Sequence, residues 1–385
     1  MIETKLINIL DYGSYKFRLS VYGDKSKKLL YSNSKIISND QSAKDIISSL
    51  IKETEKKIST HIENVIVVCD SAKKTILDIS IKKKYEKKIK LEKVFPNIVS
   101  ETMQLINNSD LTKNIVHLIP KKFVVDNIQY FVQPPNKTLL NNILIEFKII
   151  LFQQEYIETL KKNFNQLNLH VHKIYCASYV KSKHYFNKIK KDNIAFLDIG
   201  WERTSLLKFN KKGIENLSTI SLGSNHITKD ISKVFKVDLE VAEEIKKLFS
   251  KSDTEFSYNI LNDDNNISIK EILNKNVSID ILKKVILYRV QEIIDLSLKN
   301  FTKNQIYELK QAELFLIGEG SRLLNTNSFY LIDQVGIPKI SFFDENDADI
   351  SNATIKYFLD DQLIRKKKSI NAGYFEKFFN IFDFK

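Results

Sequence analysis

Two carboxylates stand in the same local setting in different parts of the chain. Asp11 closes the run Ile7-Asn8-Ile9-Leu10 and is followed by Tyr12, Gly13, Ser14 and, after one more residue, Lys16; Asp198 closes Ile194-Ala195-Phe196-Leu197 and is followed by Ile199 and Gly200. Each apolar run suits a buried strand, the glycine permits a tight turn, and KFRLSVY or SLLKF returns as a second strand. A carboxylate at the rim of a sheet, beside a glycine that lets backbone amides come close, can hold a cation and cradle an anion. Two such hairpins facing each other would grip phosphates from both sides. A single Asp-x-Gly turn is ordinary hairpin grammar, so the repetition carries the reading.

The bulk properties define what must position these residues. With 385 residues, 43% of them hydrophobic, the chain can bury two or three cores, and a globular multidomain protein is expected. The net charge of +13 suggests an anionic partner, yet it is nearly all lysine; the arginines are Arg18, Arg203, Arg289, Arg322 and Arg365. A largely solvated basic face is the favoured explanation, and no nucleic-acid-binding signature accompanies it. Cys69 and Cys176 are far apart in apolar stretches, which indicates buried thiols and neither a disulfide framework nor a zinc site. No early charged-then-apolar segment and no run of eighteen apolar residues is present, so a protein that stays in the cytosol is expected.

The paired hairpins resemble the first and second phosphate loops of the actin, Hsp70 and hexokinase ATPase superfamily. The resemblance implies an α/β, duplicated ribonuclease-H-type fold in two lobes, with ATP and Mg²⁺ as cofactors. Asp11 and Asp198 would hold the hydrated metal, while Gly13, Ser14, Lys16 and Gly200 would lie along the phosphates. Further segments narrow the likeness to the FtsA family of bacterial cell division. His117-Leu118-Ile119-Pro120 through Asp126 resembles a strand of its inserted domain. Ser221-Leu222-Gly223 through Ile231, with Ala242-Glu243-Glu244-Ile245-Lys246, resembles its glycine turn, I-T-x-D-I helix and A-E-x-I-K element. Phe315 to Ser321 resembles the adenosine motif, with Gly318, Gly320 and Ser321 at the turn. Glu243 and Lys246 would then meet ribose and adenine; taken alone they are a solvated i, i+3 pair.

The pattern departs from the family where the phosphates would sit. Trp201, Glu202 and Arg203 follow Gly200 where the family carries glycines and threonine, and Glu319 stands where glycine is usual. Side chains there forbid glycine conformations, and Glu202 adds negative charge, so weakened or lost ATP binding and no enzymatic turnover are expected. Arg203 replacing a phosphate contact and Trp201 plugging a redundant cleft are both open alternatives.

At the carboxyl end, Lys366, Lys367 and Lys368 precede a short polar joint and the segment YFEKFFNIFDFK. At 100° per residue Tyr374, Phe375, Phe378, Phe379, Ile381 and Phe382 fall within an arc of about 160°, an amphipathic helix suited to a headgroup boundary. FtsA carries a terminal membrane-targeting helix of this kind; the three lysines would add about 1 kcal/mol each near an anionic leaflet. Residues 277–301 have a helical apolar period and resemble the long helix of FtsA subdomain 2B, which receives the acidic, hydrophobic C-terminal peptide of FtsZ. Lys283, Lys284 and Arg289 are the matching basic residues; an intramolecular Arg289–Glu292 contact is the plainer alternative.

The implied division is subdomain 1A over 1–83 and 167–192, an inserted FtsA-type 1C (SHS2) subdomain over 84–166, and subdomain 2A over 193–231. Subdomain 2B follows over 232–306 with a loop at 259–276, then 2A and the return to 1A over 307–364, a basic linker over 365–373 and the terminal helix over 374–385. The implied function is tethering of FtsZ filaments to the cytoplasmic face of the membrane at the division site. Anionic lipid, the FtsZ peptide, other division proteins and further copies of the chain would be the partners, with no nucleic acid. A PilM-like scaffold and a small-molecule kinase of the same superfamily are the alternatives.

Overall fold

The computed structural model describes residues 6–37, 41–109, 112–131, 133–251, 279–299, 301–323, 339–343 and 345–366. Lys367, Lys368, Tyr374, Phe375, Phe378, Phe379, Ile381, Phe382 and the 259–276 loop lie outside the described residues. The chain divides into two units, Met1–His184 with Asp347–Lys385, and Tyr185–Asn346.

In the first unit β1 (Leu6–Tyr12), β2 (Lys16–Gly23) and β3 (Leu29–Ile36) form an antiparallel meander. β4 (Asn64–Cys69) and β9 (His170–Cys176) extend it in parallel, giving the order β3-β2-β1-β4-β9. β1 is central, and its near-continuous apolar run follows: Ile9 and Leu10 are both buried although they point to opposite faces. Helix α1 (Ala43–Ile58) packs against β2 and β3, with Ser42 capping its start and Ser59 ending it in the left-handed conformation at φ 52°. Helix α4 (Ala177–Ile189) follows β9.

Between β4 and β9 the chain builds a separate antiparallel sheet. Its strands β5 (Thr75–Lys90), β6 (Lys113–Val125), β7 (Ile128–Tyr130) and β8 (Leu139–Gln153) run in the order β5-β8-β6-β7. Helix α2 (Leu91–Asn107) covers its apolar face with Leu91, Val94, Phe95 and Ile98, and α3 (Gln154–Asn165) returns the chain to β9. The first strand of this sheet begins at Thr75, ahead of 84. Pro120 lies in β6 beside a register shift in its pairing with β8 and beyond the short stretch paired with β7, a place where a strand tolerates proline.

The second unit repeats the plan of the first. β10 (Asn193–Ile199), β11 (Thr204–Asn210) and β12 (Gly213–Ile220) are antiparallel. β13 (Glu313–Ile317) and β14 (Ile340–Phe342) add in parallel, giving β12-β11-β10-β13-β14. Helices α5 (Ser224–Phe235), α6 (Leu239–Lys251), α7 (Ile279–Lys299) and α8 (Lys303–Lys310) share one apolar core with the sheet, through Ile227, Ile231, Ala242, Ile286, Val290 and Leu309. Helix α9 (Asp349–Lys366) belongs to the first unit and lies against β1. Both repeated hairpins therefore occupy the same place in equivalent sheets, as the sequence repeat requires.

Candidate functional site

Asp11 stands near the end of β1, directly across the hairpin from Arg18. The turn between them needs a glycine for a local reason: a Cβ on Gly13 would lie 2.7 Å from the Lys16 carbonyl oxygen. Ser14 is half-buried in the same turn. Arg18 is buried, and its Nη1 donates to Asp11 Oδ2 at 3.0 Å while Nη2 donates to Asp347 Oδ1 at 2.8 Å. Lys16 Nζ reaches the same Asp347 oxygen at 3.0 Å. Burial alone would raise the Asp347 carboxyl, but Lys16 and Arg18 outweigh it and hold it below the ordinary carboxylate range. Asp11 and Lys16 are thus brought together with two residues that sequence reasoning missed. Arg18 was accessible in principle by counting the register of the hairpin. Asp347, hundreds of residues away, carried no signal.

In the second hairpin the glycines are needed because backbone packs on backbone. Gly200 N–H donates to the Arg203 carbonyl at 2.8 Å and closes the turn. A Cβ on Gly223 would lie 2.5 Å from the carbonyl oxygens of both Gly200 and Trp201. Gly318 has φ +87°, and a Cβ there would come within 2.5 Å of the Ile199 carbonyl and 2.6 Å of Asp198 Oδ1. A Cβ on Gly320 would meet Ile199 Cγ2 at 2.7 Å. Ser321 Oγ donates back to the Gly318 carbonyl at 2.7 Å. The first amides of α5, a natural anion cradle, donate to the hairpin: Ser224 N–H to Gly200 at 2.9 Å and Asn225 N–H to Trp201 at 2.8 Å.

Glu243 and Lys246, one turn apart on α6, are committed to each other. Lys246 Nζ lies 2.5 Å from Glu243 Oε2, 2.7 Å from Thr228 Oγ1 and 3.2 Å from the Ser224 carbonyl. Trp201 covers the ammonium, whose nitrogen is 4.6 Å from the ring centroid. Burial pulls the Lys246 pKa down against the pull of Glu243. Trp201 therefore sits against Lys246, while Glu202 and Glu319 are exposed. Glu202 lies 3.8 Å from Arg203.

On α7, Lys283 and Lys284 are exposed. Arg289 is not a free cation: Nε and Nη2 hold Asp230 of α5 at 2.5 and 2.9 Å, and Nη1 pairs with Glu292. Ile281 and Tyr288, 46% and 72% exposed, share a stripe with Lys284 at helical spacing. The sequence reading passed over them because an amphipathic period marks apolar residues as core.

Two further features of the first unit were hidden in sequence. Cys69 and Cys176, distant in sequence, are register partners on β4 and β9; both are buried, and they form no disulfide with each other. Burial, followed by the nearby Asp70 carboxylate, pushes the Cys176 thiol up to about 12, so it is inert at neutral pH. Buried His117 accepts from the Cys176 amide through Nε2 at 2.9 Å, which places its proton on Nδ1 for Tyr357 Oη at 3.0 Å. Beside it lies a cavity of about 600 Å³ lined by residues of α2, β6, β9 and α9, among them Phe95, Ile119, Pro120, His172 and Tyr357. No stretch of sequence contains that lining.

Residues 195–340 match the family model for the cell division protein FtsA. FtsA of Helicobacter pylori strain J99 is 25% identical over 155 residues, 38% of this chain and 31% of that protein. The match thus spans about a third of that relative's length. Among solved structures, the PilM–PilN type IV pilus biogenesis complex aligns with TM-score 0.53 and 12% identity over 94% of this chain and 98% of that one. MreB5 of Spiroplasma citri bound to AMPPNP aligns with TM-score 0.51 and 13% identity over 96% and 100%. The duplicated sheets and the hairpin pair are those of an actin-like fold, and over residues 195–340 the chain is similar, at a divergent level, to the cell division protein FtsA.

Proposed function

We propose that this chain attaches FtsZ filaments to the cytoplasmic face of the membrane at the division site, self-associating as actin-like proteins do and performing no covalent chemistry. The observation that carries the reading is the FtsA match over 195–340, which takes in the second hairpin and α7. The exposed stripe of Ile281, Lys284 and Tyr288 beside Lys283 offers apolar and basic groups together, the complement of an acidic, hydrophobic peptide. The sheet β5-β8-β6-β7 with α2 and α3 corresponds in this reading to the FtsA-type 1C subdomain, and residues 374–385 to the lipid-binding helix. ATP and Mg²⁺ bind weakly or not at all, because Trp201 lies on Lys246 and the α5 amides are spent on the hairpin.

The test is sedimentation of the full chain, and of a truncation ending at Arg365, with anionic liposomes. Lipid-dependent pelleting of the full chain only, followed by recruitment of FtsZ to those liposomes, is the expected result. Equal behaviour of the two proteins would favour a PilM-like scaffold, to which the fold likeness over nearly the whole of both chains also points. The kinase alternative loses ground at Trp201 and Glu202, where that chemistry needs an open phosphate loop.

A further inference from the structure

We infer that Arg18 is a built-in cation for the Asp11 carboxylate, held by Asp347, so that the first hairpin is complete without a divalent metal. The inference rests on reading the two Asp-x-Gly hairpins as phosphate loops. It does not depend on FtsZ or lipid.

The two carboxylates of the repeat face different partners. Across from Asp198 in the register of the second hairpin is Ser205, a small neutral residue that shares a hydrogen bond with Thr219 at 3.2 Å. Across from Asp11 is Arg18, whose side chain is only 8% exposed, against 19% for Asp11. A hydrated divalent ion needs room beside its carboxylate for the waters it keeps. At Asp11 that position holds a planar guanidinium fixed between two carboxylates, each taking one of its terminal nitrogens. The arrangement also occupies Lys16, since its ammonium shares the Asp347 oxygen that binds Arg18. Asp11, Arg18, Asp347 and Lys16 thus alternate in sign along one chain of contacts: a cation stands where a metal would be held, and an anion stands on the lysine that would meet a phosphate.

The four links are not equal. Asp347 is 72% exposed on its side chain, so water and salt weaken its two contacts. The Asp11–Arg18 pair is nearly enclosed and carries most of the effect. Removing the arginine would take its positive charge away from Asp11 and remove the bridge between two carboxylates, a change that should be felt as lost stability and as a new demand for a cation.

The test is thermal unfolding of the full chain and of Arg18→Ala in EDTA, in MgCl₂, in ATP with EDTA and in ATP with MgCl₂, all at millimolar concentration. The expected wild-type midpoint is the same in EDTA and MgCl₂, and any shift caused by ATP is the same with and without the metal. Arg18→Ala should melt about 4 °C or more below wild type in EDTA and recover part of that loss in MgCl₂. A wild-type ATP shift that needs Mg²⁺ would overturn the inference, as would an Arg18→Ala midpoint equal to wild type in EDTA. A metal-independent rise of the wild-type midpoint with ATP would support the inference while counting against the weakened nucleotide site proposed above. Should Arg18→Ala not fold, Arg18→Lys takes its place: it keeps one cation on Asp11 but cannot span both carboxylates. It should melt below wild type with no response to MgCl₂, and a Mg²⁺-dependent rise in this variant would overturn the inference.

Discussion

At the scale of single residues, several buried charges among the described residues are held by opposite ones, and the clearest case outside the hairpins is Asp70. Lys74 Nζ lies 2.6 Å from Asp70 Oδ1 and 2.7 Å from Ser178 Oγ, while the Ser178 amide donates to Asp70 Oδ2 at 2.9 Å. The Lys74 side chain is fully enclosed. Burial by itself would raise the Asp70 pKa, but the lysine and the surrounding donors outweigh it and the net direction is down. A carboxylate with a depressed folded-state pKa contributes stability that is present above its unfolded value and is lost as pH falls through the folded one. Asp70→Asn, which leaves the Lys74 charge buried without the Asp70 carboxylate, should therefore cost about 3–5 kcal/mol at neutral pH. The gap between wild type and variant in urea unfolding should stay constant down to about pH 5 and close below about pH 4. A gap independent of pH across that range would show that Asp70 acts through shape rather than charge.

At the scale of elements, α7 separates residues that look alike in sequence. Lys283, Lys284 and Arg289 all lie on the same basic, amphipathic helix, yet only the lysines are exposed; Arg289 ties α7 to α5 through Asp230. Charge reversal of Lys283 and Lys284 to Glu should lower FtsZ recruitment to liposomes with little change in stability, within about 0.5 kcal/mol. Arg289→Ala should instead cost about 1–3 kcal/mol in denaturant unfolding, because Asp230 loses a two-pronged partner. Loss of recruitment by Arg289→Ala at full stability, with the lysine variants unaffected, would reverse the assignment. His117 plays a comparable role in the first unit: β6 of the β5-β8-β6-β7 sheet supplies it, and it hydrogen-bonds to β9 and α9.

At the scale of the whole molecule, the proposed mechanism depends on many weak contacts. A few phenylalanines contribute at most about 1.5–3 kcal/mol each on full burial, and ordering the helix takes part of that back. One copy should therefore leave the membrane readily and an assembly of copies should stay. The fraction of full-length protein sedimenting with anionic liposomes should rise more steeply with protein concentration than a single-site curve allows. A simple hyperbola at all concentrations would mean that each copy binds alone.

The sequence alone determined the repeated hairpins, and with them the duplicated sheets, because a buried strand at the centre of a sheet must be apolar on both faces and its turn must be sharp. That pattern is local, so Asp11, Gly13, Asp198 and Gly200 were legible from their immediate neighbours in the chain. The family motifs around Gly223, Glu243 and Gly318 were legible for the same reason. Only the tertiary structure decided what those residues do with their bonding capacity. Asp11 is met by Arg18 and Arg18 by Asp347, Lys246 by Trp201, and the α5 amides by the carbonyls of the second hairpin. Each of those partnerships depends on strand register or on segments distant in sequence. Residue type specifies which groups can bond, and only the folded chain specifies which bond first.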